Sequence, residues 1–426
     1  MTRSFVLTLL SLCAVVLTNA NPCTAQSYTM TEIPISPTAI NNNGQIGGQG
    51  ANGDPAILSS SGTLTDLGNF GSTCDVYGCR AYAINSLGDA VGLTGDGSVG
   101  GYKPYLFSSG TLTRLTPDSA NSLGINTAGT VVGYFYPTVC QPLSLTHAFV
   151  IKNGVFADLS QPTDPSQPCN VYSEAHGINT SGQIAGATVN PSNNAEEAAV
   201  WQPDGTITFL GFLPGENSSR AFAINDAGQV AGNAYTTVPQ YSLHAFLFSN
   251  GTMKDIDTFN SQASWAFGIN KNGVVVGQVA DQPDSMAYRA FVFMGGSMMD
   301  LNTLIPAGSG LTLMQANGIN DAGQIVGQAQ STSDGTVRGF LLTPVPPQIT
   351  SISPTTGSAG TVITITGKNF TKKPAACKVT FNGKAAKWTT WSSTQVKVQV
   401  PVGATTGNVV LTAFFQKSNG KAFTVK

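Results

Sequence analysis

Side chains able to do chemistry are scarce in this chain. Three histidines occur, His147, His176 and His244, and no two stand at a metal-ligand spacing. There is no Gly-x-Ser-x-Gly elbow, no His-Glu-x-x-His and no phosphate-binding loop. What remains is a set of acids outside any repeat: Glu174, Glu196, Glu197 and Glu216. Brought together on neighbouring loops, such carboxylates could face a glycan or a cation. In an enzymatic reading Glu174, Glu197 and Glu216 serve a carbohydrate-active enzyme, a glycosidase or lyase. In a binding reading Glu196 and Glu197 contact the ligand, and Trp388 and Trp391 offer rings for stacking on sugars, although at least one of the two belongs to a core. Ordinary solvated loop acids are the plain alternative. No cofactor and no metal site is expected.

These acids must be positioned by a repeated scaffold. Asn recurs at 41, 85, 126, 179, 225, 270 and 320, always after Ile and always three residues before Gly. The intervals of 44, 41, 53, 46, 45 and 50 residues mark a repeat architecture. Each period holds four short β-type segments bounded by Gly, Asn, Ser or Pro, the size of a propeller blade. The last repeat, with Arg338-Gly339-Phe340-Leu341-Leu342, runs into Pro344, Pro346 and Pro347 before a fourth strand. A spare strand, Thr29-Met30-Thr31-Glu32-Ile33, matches Thr63-Leu64-Thr65-Asp66-Leu67 and would complete it, removing exposed edges. The expectation is an all-β chain: a seven-bladed β-propeller closed by an N-terminal strand, followed by an immunoglobulin-like β-sandwich.

Repetition also assigns roles. Asn first and Gly fourth is type I turn chemistry, the Asn side chain capping its own backbone and Gly taking positive φ. The small residues before each Ile-Asn pair suit innermost strands crowded round an axis. Phe149, Phe246, Phe291 and Phe340 read as the core between blades. Glu32, Asp66, Asp158, Asp255 and Asp300 share one repeat position, which points to a local hydrogen-bonding role rather than catalysis. His147 and His244 share a position with Arg289 and Arg338, which argues against a metal. His176 stands where other repeats have Phe222, Phe267 or Tyr82, so it reads as core. The Asn-x-x-Gly turns share one face with short Gly turns, whereas long irregular loops share the other, and function is expected on the long-loop face.

Only 10% of residues are charged, which suits short strands and tight turns rather than helices. Residues 1–25 read as a secretory signal, with Arg3, an apolar Phe5 to Leu17 run and cleavage after Ala20 or Ala25. No other stretch could span a bilayer. The mature cysteines are expected as disulfides Cys74–Cys79 and Cys140–Cys169, with Cys377 a buried core thiol. Residues 26–345 carry 22 acidic and 9 basic side chains, a balance of −13; residues 346–426 carry ten Lys and no Asp, Glu or Arg, a balance of +10. The basic part could attract an anionic polymer or surface, or dock on the acidic part.

Two resemblances add to this reading. Ala-Phe-x-Ile-Asn-x-x-Gly-x-Val-x-Gly, then His-Ala-Phe-Leu, then Gly-x-Met-x-Asp-Leu, resembles the extracellular HAF repeat of bacterial secreted proteins, with His-Ala-Phe literally at 147–149 and 244–246. Departures stand at Pro55-Ala56-Ile57, Tyr105-Leu106-Phe107 and Ala198-Ala199-Val200. That resemblance implies secretion and repetition and no particular activity. Beyond the Pro-rich stretch 344–348, Ile352-Ser353-Pro354, Gly367-Lys368-Asn369-Phe370, Phe381-Asn382-Gly383 and Pro401-Val402-Gly403-Ala404-Thr405-Thr406-Gly407 closely resemble the IPT/TIG domain. The resemblance implies an immunoglobulin-like interaction or spacer module over 349–426. The domain expectation is therefore signal 1–25, propeller 26–343, linker 344–348 and sandwich 349–426. The functional expectation is a secreted or surface-attached, periplasmic or extracellular, non-enzymatic binding or adhesion protein. Its partner would be an extracellular polysaccharide or surface protein, with no nucleic acid and no integral membrane segment, and it would be a monomer. A structural surface spacer is the remaining alternative.

Overall fold

A computed structural model describes residues 28–71, 79–95, 102–117, 119–137, 145–160, 171–236, 242–261, 263–280, 288–370, 377–413 and 416–426. The stretch 1–25, expected as a secretory signal, lies outside them. Among the described residues there is no α-helix; the elements are strands and a single-turn 3-10 helix at Leu301–Thr303. Among those residues no helix is long and apolar enough to cross a membrane.

The repeats form a β-propeller. Among the described residues, six periods each supply four antiparallel strands in simple sequence order, such as Ser173–Ile178, Ile184–Asn190, Ala195–Trp201 and Ile207–Phe209. One parallel pair, Leu243 with Ala263, links the sheets around Asn225 and Asn270. The sheet around Asn320 takes its outer strand from the other end of the chain: Tyr28–Ile33 pairs antiparallel with Val337–Pro344, Thr31 opposite Leu341.

The inner strand of every sheet carries a bulge at one place, between residues such as Ala221 and Ala223, Ala266 and Gly268, or Ala316 and Gly318. An extra residue there bends and twists the strand towards the axis. The residues just past the bulge are small because neighbouring inner strands nearly touch: a Cβ on Gly177 would lie 3.1 Å from the Phe222 carbonyl oxygen. Phe149, Phe246, Phe291 and Phe340 are at most 1% exposed and fill the space between adjacent sheets. Burial of each such ring contributes about 2–3 kcal/mol.

The Asn-x-x-Gly turns do more than reverse the chain. Asn225 Oδ1 accepts from the backbone N–H groups of Ala227 and Gln229, both at 3.0 Å, while Gly228 holds φ at 73°. The amide Nδ2 then reaches the neighbouring sheet and donates to the carbonyl oxygen of the next repeat's Asn. The series runs 41 to 85, 126, 179, 225, 270, 320 and back to 41, every link between 2.8 and 3.2 Å. All seven asparagines are buried. The local cap expected from sequence is present, and the closed belt is an addition to it.

Beyond Pro344 only residues 345–347 separate the last propeller strand from Gln348–Ser353, so the linker is shorter than the Pro-rich text suggests. Two sheets follow, one with Trp388–Trp391 at its edge, packed over Ile363, Ile365, Phe381, Val396, Leu411 and Phe423. Cys377 is not fully buried; it is a half-buried thiol packed on the margin of this core. The sandwich touches the propeller where Gln416 Nε2 donates to the Ala322 carbonyl at 2.7 Å.

Candidate functional site

The inner-strand position just before the bulge carries a charge at Arg80, Glu174 and Arg220, and the last two stand on neighbouring sheets. Glu174 lies on Ser173–Ile178 and Arg220 on Ser218–Ile224, both before the bulge and towards the long-loop end. Arg220 lies between two tyrosine rings, its guanidinium carbon 5.3 Å from the centroid of Tyr172 and 5.9 Å from that of Tyr235. It pairs with Glu196 through Nε to Oε1 and through Nη2 to Oε2 at 3.3 Å. Burial disfavours the Arg220 cation, but the hydrogen bond and charge of Glu196, with Tyr172 and Tyr235, together outweigh it and raise the pKa, so the guanidinium stays charged.

Glu174 sits beside this pair. His176 Nε2 lies 3.2 Å from Glu174 Oε2, and Thr146 Oγ1 donates to Oε1 at 3.2 Å. Burial alone would raise the Glu174 carboxyl; the hydrogen bond and charge of His176, with Arg220 nearby, override it and hold the carboxyl below its usual range. Glu174 therefore supports the fold at neutral pH, and that support is lost as pH falls through the carboxylate range. His176, read from sequence as core, packs its ring 5.0 Å from that of Phe222 and also sets Nε2 against Glu174. Burial, and then the Glu174 charge, raise Tyr172 well above the usual phenol range, so it remains a neutral donor.

The four glutamates do not converge on one point. Glu197 is only 4% exposed and accepts from Asn190 Nδ2 at 3.0 Å and Asn193 Nδ2 at 2.6 Å, tying its own hairpin together. Glu216 accepts from Ser242 Oγ at 2.9 Å. Among the described residues no group of His, Cys, Asp and Glu could hold a metal ion. Trp388 and Trp391 are both half-buried, edge to face at 5.8 Å, and Trp391 Nε1 donates to the Phe370 carbonyl at 2.9 Å. Each keeps part of its surface on the sandwich edge strand. Cys79 is buried. Cys74, Cys140 and Cys169 lie outside the described residues.

The recurring acids are clamps within a sheet. His147 Nδ1 lies 2.9 Å from Asp158, His244 Nδ1 2.8 Å from Asp255, Arg289 donates to Asp300 at 3.0 Å and Arg338 to Glu32 at 2.8 Å. The other carboxylate oxygen caps the backbone two residues on, as Asp255 Oδ1 does for Asp257 N–H at 2.8 Å. The hydrogen bond His244 donates to Asp255 raises the His244 pKa. A raised histidine stabilises the fold below its unfolded value of about 6.5, and that contribution disappears as pH rises through the raised folded value. Asp255→Asn should therefore flatten the decline in stability on going from slightly acidic to slightly alkaline pH, measured by denaturant midpoints. The effect should stay below about 1 kcal/mol because both side chains are partly exposed. An unchanged slope would exclude the clamp as its source.

At the opposite, short-turn end of the axis the Ile-Asn pairs of all repeats line a shallow cavity of about 230 Å³. Its rim is knitted by side chains from adjacent turns: Asp321 accepts from Asn42 Nδ2 at 2.8 Å, and Asp226 from Thr180 Oγ1 at 2.8 Å.

No curated protein matches the chain. Among solved structures, it is similar to a fungal alcohol oxidase of the AA5 family in complex with copper, at 12% identity over 95% of this chain and 100% of that one, TM-score 0.47. It is similar to the β-propeller domain of the Trilobed protease from Pyrococcus furiosus, at 11% identity over 74% of this chain and 97% of that one, TM-score 0.40. It is also similar to Pyrococcus horikoshii acylaminoacyl peptidase, at 12% identity over 80% of this chain and 58% of that one, TM-score 0.45. At such identities the likeness concerns the fold alone. The C-terminal part matches a family directly: residues 347–425 form an IPT/TIG domain.

Proposed function

We propose that the chain is a two-module binding or adhesion protein, a seven-bladed propeller with one composite blade joined to a basic immunoglobulin-like accessory domain. The propeller's long-loop end would hold a glycan or surface protein, and the exposed flanks of Trp388 and Trp391 would add a second contact. The observation that carries this reading is the Arg220–Glu196 pair stacked between Tyr172 and Tyr235 beside Glu174. Flat aromatic faces next to fixed polar groups suit the apolar face and hydroxyl edge of a sugar. The catalytic alternative on Glu174, Glu197 and Glu216 has less support, since each acid is engaged by its own separate partners.

Secretion belongs to the same reading, as do the disulfides Cys74–Cys79 and Cys140–Cys169; the N-terminal residue and non-reduced peptide map of the exported protein test both. Function is tested by retention of the full-length protein on immobilised neutral and anionic polysaccharides in low and high salt, with reducing ends read in parallel. Salt-resistant retention without new reducing ends is expected, and Arg220→Ala should weaken it about tenfold, or 1.4 kcal/mol. New reducing ends would replace the binding reading by the enzymatic one. Retention lost in salt and untouched by Arg220→Ala would leave only the lysines of the sandwich as the contact.

A further inference from the structure

We propose that the cleft between the blades of Asn126 and Asn179 binds an amphipathic monocarboxylate, its apolar body between the sheets and its carboxylate on Lys152. Five blades place a large ring at the same third-strand position: Tyr105, Phe149, Phe246, Phe291 and Phe340, all essentially buried. Two blades have alanine there, Ala56 and Ala199. At Ala56 the missing volume is taken up, because Ile33 and Ile35 from the incoming N-terminal segment join its cluster. At Ala199 nothing comparable arrives. Trp201, two residues on, instead swings its indole to the ring's usual seat: a Cβ on Gly186 would meet Trp201 Cζ3 at 2.9 Å, as one on Gly133 would meet Phe149 Cε1 at 2.9 Å.

The consequence is a cavity of about 430 Å³, walled by Val150 and Leu159 on one blade and Ile178, Ile184, Trp201 and Pro203 on the other. That volume is in the range of small-molecule sites, and the walls are mainly apolar. Two polar features are specific to this cleft. Trp201 is 3% exposed, and its indole N–H has no hydrogen-bond partner among the described residues. An acceptor atom on a ligand would relieve that cost. Lys152 stands at the rim and forms no ion pair among the described residues. Other blades put Ser59, Ser108, Gln202, Ser249, Met294 or Thr343 at that position, so the cation occurs only where the cleft is hollow. Asp158, also in the cleft, is already held by His147 at 2.9 Å and leaves the lysine as the uncommitted charge. An apolar body with an anionic head matches this pairing of empty apolar volume and free ammonium.

The test is calorimetric titration of the full-length protein with decanoate, with tryptophan fluorescence followed in parallel. One saturable site is expected, with a fluorescence change that Trp201→Phe alone abolishes. Lys152→Met should raise Kd about tenfold, and decanol should bind wild type about as weakly as decanoate binds that variant. Ala199→Phe combined with Trp201→Phe restores the ring pattern of the Asn225 blade and should eliminate binding while preserving the unfolding midpoint. If that double variant does not fold, Val150→Trp narrows the cleft from the facing wall and must weaken decanoate instead. Absence of a saturable site, equal binding of decanol and decanoate, or undiminished binding by the filled variants would overturn the proposal.

Discussion

Replacing Gly277 by alanine should destabilise the propeller by at least about 3 kcal/mol, a large part of the stability of an ordinary domain. This glycine sits in the middle of the second strand, Val275–Ala280, where its backbone needs no positive φ. What it needs is space. The bulge in the inner strand brings the Trp265 carbonyl to 1.8 Å from where a Cβ would stand, and the Phe291 ring closes the other side at 2.8 Å. Neither neighbour is free to move. The carbonyl belongs to the strand that sets the distance to the axis, and the ring is wedged between two sheets. The same geometry recurs at Gly92, Gly133, Gly186, Gly232 and Gly327, each with a carbonyl oxygen within 2.0 Å of the added atom. Gly251→Ala supplies the contrast. Gly251 has φ of 74° in a hairpin turn, with nothing within 4 Å of the added carbon. Only backbone strain applies there, about 1 kcal/mol. Denaturant unfolding of the two variants should separate them by about 2 kcal/mol or more. Equal midpoints would mean that the second strand relaxes and that steric closure is not why glycine stands there.

Local chemistry made much of this structure legible in sequence. The four-strand period and the Asn-x-x-Gly turns with positive φ at Gly228 and its equivalents rest on contacts within one repeat, and the buried third-strand phenylalanines showed themselves by recurring at one place in an apolar strand. The matching of Thr29–Ile33 to Thr63–Leu67 pointed to the strand that pairs with Val337–Pro344, because shared side-chain alternation marks shared sheet position. The sequence was mute on polar contacts between repeats. The Asn belt joins residues 41 to 53 apart, and its closing link spans 279. Nothing in a type I turn signature says which way the amide points. The second-strand glycines were visible as a pattern, but their cause is a bulge on a different strand. The glutamates 174, 196, 197 and 216 stood out as departures; Glu174 and Glu196 both border Arg220, whereas Glu197 and Glu216 are held by other side chains. Ala199 was also visible as a departure; that it leaves a cleft follows only from which sheet face it occupies. Trp388 and Trp391 were open between core and surface, and each is partly both.

Asn320→Ala should cost about 2–4 kcal/mol, because this side chain closes the belt between the two ends of the propeller chain. Its Oδ1 accepts from Ala322 N–H at 3.1 Å and Gln324 N–H at 2.9 Å, and its Nδ2 donates to Gln324 Oε1 at 2.8 Å and the Asn41 carbonyl at 3.1 Å. Alanine removes all four bonds from a site 3% exposed, where water does not readily replace them. Asn320→Asp separates the turn cap from the belt. It keeps the acceptor for the two N–H groups but sets a carboxylate oxygen against the Asn41 carbonyl and Gln324 Oε1. That repulsion, together with burial, raises the folded-state pKa of the introduced acid above its unfolded value of about 3.9. The variant's penalty is then complete above the raised folded value and shrinks as pH falls through it, since the protonated acid recovers one donor. The two variants therefore diverge in acid: the alanine penalty stays flat and the aspartate penalty fades. Urea midpoints for wild type and both variants from neutral to mildly acidic pH provide the measurement. A flat aspartate penalty, or an alanine variant as stable as wild type, would show that the inter-blade bond carries no weight and that the asparagines act as turn caps alone.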